Sequence, residues 1–184
     1  MNVLVPLTTE NTVLIAIDFQ ERLFPAMHAK EKLLQNVVKL INGAKVLEIP
    51  VILTEQYPAG LGLTLPEITQ LLPDIKPIEK VCFNGCDEGR FLQELELLQR
   101  QQVLIAGIEA HICVYQTAMD LLNRGYEVQV VVDCVTSREL ENKEVCLTRL
   151  NSAGVSLTTT EMALFELLKV GRGDKFKQIS NIIK

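Results

Sequence analysis

No apolar run in this sequence approaches the roughly 20 residues needed to span a bilayer. The opening stretch, MNVLVPLTTENTVLIAIDFQ, has neither a basic leader nor a small-residue cleavage site, so a membrane role is not expected. Basic charge is scarce too: 18 Lys and Arg stand against 23 Asp and Glu, a net charge of −5. With a pI near 5.2, the average field attracts neither nucleic acid nor an anionic membrane, and both are set aside as main partners. The two histidines, His28 and His111, have no partner at ligand spacing, so no metal is expected. No GxGxxG follows the first apolar run, where Asp18-Phe19-Gln20-Glu21-Arg22 stands instead; this counts against a dinucleotide or flavin, and no cofactor is expected. The five cysteines, Cys82, Cys86, Cys113, Cys134 and Cys146, are odd in number and contain no CxxC pair, which fits reduced thiols in the cytoplasm better than a disulfide framework. Repeats, low-complexity tracts and linkers are absent.

What is present is apolar and alternating. At 184 residues and 48% hydrophobic, the chain is long enough for one full core, a single domain spanning residues 1–184. Short strand-like runs are predicted at Val13–Asp18, Pro50–Thr54, Lys76–Val81, Val103–Gly107, Tyr126–Asp133 and Gly154–Thr159, with helical segments between them. That alternation implies parallel strands joined by right-handed crossovers, a three-layer α/β/α domain. The helices are expected over Glu31–Leu47, Ile68–Leu72 behind a Thr64/Glu67 capping box, Glu88–Gln99 behind Asp87, Arg138–Ser152 behind Thr136/Glu139, and Met162–Val170 behind Thr158/Glu161. Asp174 stands before a last amphipathic segment that docks on its own domain or on a neighbouring subunit.

The stretch Gln102 to Gly125 organises the rest. Val103-Leu104-Ile105-Ala106 reads as a buried strand closed by Gly107, and from Val114 the spacing becomes helical, leaving Cys113 where a helix begins. Unpaired backbone N–H groups there favour an anion and can lower a thiol pKa, making a nucleophile. The bland alternative is a small buried hydrophobe. In a parallel sheet, polar residues that end apolar runs collect on one rim. Asp18 ends the first run and Lys80 the third, so an acid, a cation and a thiol converge. Lys80 can stabilise a thiolate, and Asp18 can accept the thiol proton and return it to a leaving group. His111 is a second candidate base. Phe19, Leu23, Phe24, Tyr57 and Phe83, with Gln20 and Gln56 offering hydrogen bonds, are candidates for a small substrate pocket or for ordinary core. The irregular Glu55–Pro73 segment is a candidate pocket wall or a plain surface excursion.

These residues resemble the isochorismatase-like cysteine hydrolases, which include nicotinamidases and N-carbamoylsarcosine amidase. AIDFQERL around Asp18, EKVCF around Lys80, GIEAHICVYQTAMDLLNRG around Cys113 and LTEQYPAGLG carry the likeness, which is nearest to the isochorismatase domain-containing and YcaC-like branch. The resemblance implies an Asp18, Lys80, Cys113 triad on a six-stranded parallel sheet ordered 3-2-1-4-5-6. It further implies a cis peptide at Ile108–Glu109 and an oxyanion hole from the N–H groups of Glu109 and Cys113, and homo-oligomers. In that strand order Lys80 must cross about 10 Å of sheet to reach Asp18, at about 4.8 Å per strand. The metal-holding histidines of nicotinamidases have no counterpart in Thr54-Glu55-Gln56-Tyr57. The expected activity is hydrolysis of a small amide-like C–N bond through a thioester. The alternative is a catalytically silent oligomeric binding module, kept open by the charge of Glu109 beside the oxyanion donors.

Overall fold

Six consecutive buried residues, TVLIAI, form β1 (Thr12–Ile17), the near-continuous apolar run that a parallel strand covered on both faces requires. The structure, a computed structural model, describes residues 5–184; the first four residues of the expected domain lie outside them. After β1 come α1 (Lys30–Val46), β2 (Val51–Gln56), two short helices α2 (Pro58–Leu61) and α3 (Pro66–Thr69), and β3 (Ile78–Lys80). They are followed by α4 (Gly89–Leu97), β4 (Gln102–Ile108), α5 (Tyr115–Asn123), β5 (Glu127–Thr136), α6 (Leu140–Ala153), β6 (Ser156–Thr158), α7 (Thr160–Leu168) and α8 (Asp174–Ile183). The sheet runs β3-β2-β1-β4-β5-β6 with every pair parallel, the three-layer α/β order expected.

Alternation along the strands divides the core in two. Leu14, Ala16, Leu104 and Ala106 pack under α1, α7 and α8, while Val13, Ile15, Ile17, Val103 and Ile105 pack under α4, α5 and α6. Two glycines permit close approach. A Cβ on Gly43 would lie 2.4 Å from Leu164, where α1 crosses α7, and one on Gly107 would lie 2.6 Å from Ile17 Cβ and 2.9 Å from Val114 Cγ2, beneath the turn carrying Cys113. The last helix docks on its own domain: Ile179 is fully buried, and Lys39 Nζ donates to the Ile183 carbonyl at 2.7 Å.

Several helix caps differ from the sequence expectation, in two cases because distant groups take the capping side chain. Glu55 takes both the N–H and the hydroxyl of Thr64, at 2.6 and 2.7 Å, so α3 starts after Leu65 with no side-chain cap. Thr136 Oγ1 donates to the His28 carbonyl, and α6 opens at Glu139 uncapped. Thr159, not Thr158, accepts from Met162 N; Glu88, not Asp87, accepts from Arg90 N; and Gly173 precedes α8, with Asp174 its first residue.

Candidate active site

The ends of β1, β2 and β4 lie level, with Ile17 opposite Thr54 on one side and Gly107 on the other. The chain then turns sharply at Asp18, a non-glycine residue at φ 57, which points its fully buried carboxyl along this edge. Thr54 Oγ1 donates to Asp18 Oδ1 at 2.7 Å, and Lys80 Nζ donates to Asp18 Oδ2 at 2.7 Å, with neither charged side chain exposed at all. The lysine stem crosses β2 to make this contact, so the width of two strands is spanned by one extended side chain. Its other donors are also used, by Gln56 Oε1 at 2.8 Å and the Cys82 carbonyl at 3.3 Å. An ammonium so buried needs this full set of acceptors to offset lost hydration.

Cys113 sits in a π-turn, Ala110–Val114, that runs into α5, and is 5% exposed. Burial pushes its thiol up to about 12; the Asp18 charge acts in the same sense, and Lys80 pulls the other way. The lowering expected from a helix start is therefore reversed, because desolvation and the neighbouring carboxyl outweigh the N–H groups of the turn and the ammonium. After burial, the charges that bear most on the sulfur are those of Asp18 and Lys80. The peptide Ile108–Glu109 is cis.

The other candidate residues separate into scaffold and rim. Gln20, fully buried, donates to the Gln56 and Gly62 carbonyls at 3.0 and 2.7 Å and accepts from Gln56 N at 2.7 Å, so its amide has no atom free for a substrate. Gln56 joins Lys80 to the Val81 carbonyl, a scaffold use in place of the expected substrate contact. Phe24 packs on the α1 side of the core with Leu23, and Phe19 is fully buried there, so all three belong to the core. Tyr57 and Phe83 remain on the rim, 56% and 53% exposed, and Leu63 and Val81 are more open still. Glu109 turns its carboxylate onto Arg138, accepting from the Arg138 N–H and Nε at 3.0 Å each. Its charge is therefore neutralised rather than aimed at a substrate. His111 Nδ1 shares a hydrogen bond with Ser137 Oγ at 2.8 Å, a structural role. Thr54 is the partner that sequence reading missed. It is a polar residue ending an apolar run, the same signal that marked Asp18 and Lys80.

A concavity of 580 Å³ lies at the amino ends of β5 and β6, lined by Tyr126, Gln129 and Asn151, and does not include the three residues. Among the described residues no cluster of three His, Cys, Asp or Glu side chains could hold a metal, and no helix is long and apolar enough to cross a membrane.

A doubly wound parallel sheet of this order, with a thiol at the strand-to-helix corner, defines an isochorismatase-like α/β hydrolase fold. The Isochorismatase domain family model matches residues 12–162, and the chain belongs to that family. It is 38% identical over 177 residues to isochorismatase domain-containing protein 2 of Danio rerio, covering 96% of this chain and 89% of the relative. The structure of the MAR1 ribonuclease from Caenorhabditis elegans superposes with a TM-score of 0.92 at 34% identity, over 97% of this chain and 92% of that one. Escherichia coli YcaC, described as an octameric hydrolase of unknown specificity, shares the fold with a TM-score of 0.94 at 24% identity, over 100% and 91% of the two chains.

Proposed function

We propose that the protein is a cysteine hydrolase of a small amide-like C–N bond. The observation that carries this reading is the fully buried Lys80–Asp18 pair at 2.7 Å, acting on the Cys113 sulfur. A thiol held near 12 is protonated at neutral pH, so attack needs a base beside it. Asp18 takes the thiol proton as Sγ adds to the substrate carbonyl carbon, and Lys80 holds the carboxyl in place. The N–H groups of Glu109 and Cys113 receive the oxyanion, donors of a kind worth roughly 3–4 kcal/mol each. Asp18 then hands the proton to the departing nitrogen, leaving a thioester. Water, deprotonated by Asp18, cleaves it, and the proton returns to sulfur as the acid product leaves. The exposed rings of Tyr57 and Phe83 at the rim favour a partly apolar substrate.

Screening small amides, ureas and hydroxamates should find turnover that Cys113→Ala abolishes; full activity in that variant overturns the mechanism. The second reading, a silent binding module, draws on the 5% exposure of Cys113. It predicts that Cys113 resists iodoacetamide at every pH below unfolding. A nucleic-acid substrate is disfavoured by the net charge of −5. We also take the protein to be a homo-oligomer, by analogy with octameric YcaC, and to act in the cytoplasm, where its five unpaired thiols stay reduced.

A further inference from the structure

A second concavity, of 350 Å³, opens at the carboxyl end of β5 between the first turns of α1 and α6. Lys32, Lys143 and His28 line it, over a floor that includes the buried Leu33 and Val135. Neither ammonium forms an ion pair with any described carboxylate. The carboxylate in the lining, Asp133, instead accepts from the Thr160 N–H and hydroxyl at 2.9 and 3.1 Å. Lys143 is half-buried, and its pKa is lowered first by that burial; Asp133 and Cys134 oppose the shift, and Lys32 adds to it. The half-buried Lys143 and the exposed Lys32 are like charges on one hollow with no counter-charge in contact, an arrangement that an entering anion relieves.

We propose that this hollow binds a phosphate group, carried by inorganic phosphate or by a small phosphate monoester, at a site separate from Cys113. Two compact ammonium groups suit the two charges of a phosphate dianion, and a monocarboxylate matches only one. The Asp133 charge leaves the lining net cationic, by two lysines to one carboxylate, before His28 adds anything. The volume lies at the lower end of the roughly 300–1,000 Å³ of organic-ligand pockets, and the exposed Leu140 in the lining offers a surface to a short carbon skeleton.

Isothermal titration of the full chain with inorganic phosphate and with glycerol 3-phosphate, using glycerol as the neutral arm, tests this. One saturable site is expected, with no heat from glycerol. Stronger binding of glycerol 3-phosphate identifies the monoester as the natural form, and equal binding identifies the free ion. Lys32→Gln and Lys143→Gln each weaken binding about tenfold or more. Lys143→Arg retains it, and Cys113→Ala leaves it unchanged, whichever way the hydrolase reading falls. Absence of saturable binding to the wild type, or full binding by a folded Lys32→Gln/Lys143→Gln double variant, overturns the proposal.

Discussion

Replacing Lys80 with methionine keeps most of the buried stem and deletes the charge. Asp18 then retains its 2.7 Å hydrogen bond from Thr54 but loses the 2.7 Å contact with Nζ while staying wholly inside the protein. Unit charges at that separation attract by about 6 kcal/mol at an effective dielectric of about 20. The variant no longer has to dehydrate an ammonium, which offsets part of this. Breaking a buried pair from one side costs about 3–5 kcal/mol net. For a domain of this size that lowers Tm on the order of 10 °C. Asp18→Asn alone strands the lysine and costs a similar amount, whereas the Asp18→Asn/Lys80→Met double variant strands neither charge and regains a large share. Urea unfolding of the four proteins, followed by circular dichroism with m held constant, measures the coupling. A Lys80→Met loss below about 1 kcal/mol, the range of exposed pairs, would refute the argument. So would a double variant as unstable as the two singles summed, since either outcome means that the charges do not meet in dry surroundings.

Three further outcomes are expected. Burial pushes the thiols of Cys86, Cys113 and Cys146 up from 9.0 to about 12 and raises that of Cys134 as well. A raised folded pKa gives stability that is complete below the unfolded value and lost as pH climbs, so the urea midpoint should fall between pH 9 and 12. Each thiol contributes about 1.4 kcal/mol per pH unit in that window; a flat midpoint there contradicts the burial. Asp18→Asn removes the next largest cause raising the Cys113 thiol, and should therefore speed its alkylation by iodoacetamide at pH 8 while ending turnover; an unchanged rate would separate the two groups. Gly107→Ala forces a Cβ to within 2.9 Å of the Ile17 carbonyl, whereas Gly89→Ala meets nothing within 4 Å. The first should cost about 1–3 kcal/mol and the second little, by thermal unfolding.

The features legible in the sequence were those written in short-range pattern. The continuous apolar runs of β1 and β4 announced buried parallel strands, and the polar residues ending the first and third runs, Asp18 and Lys80, announced the rim. Contacts between residues far apart in the chain were not legible. Thr64 looked like a cap until Glu55 claimed it, and Gln20 looked like a substrate ligand until the backbone of the second loop consumed its amide. The direction of the Cys113 shift was misread for a related reason: a helix start is visible in sequence, but the depth of the sulfur beneath its neighbours is not. Arg138 neutralising Glu109 removed the oddity that had favoured a silent module.

Lys80 hangs from β3, three residues long and outermost in the sheet, with β2 its sole strand neighbour. Margins of a sheet open at lower free energy than its middle. The ammonium thus has the weakest footing of the three groups, while Asp18 and the turn carrying Cys113 directly follow the two innermost strands. Mild heat or denaturant would separate Lys80 from Asp18 at that outer seam while the central strands still hold, so under the proposed mechanism activity would be lost at a lower threshold than the fold.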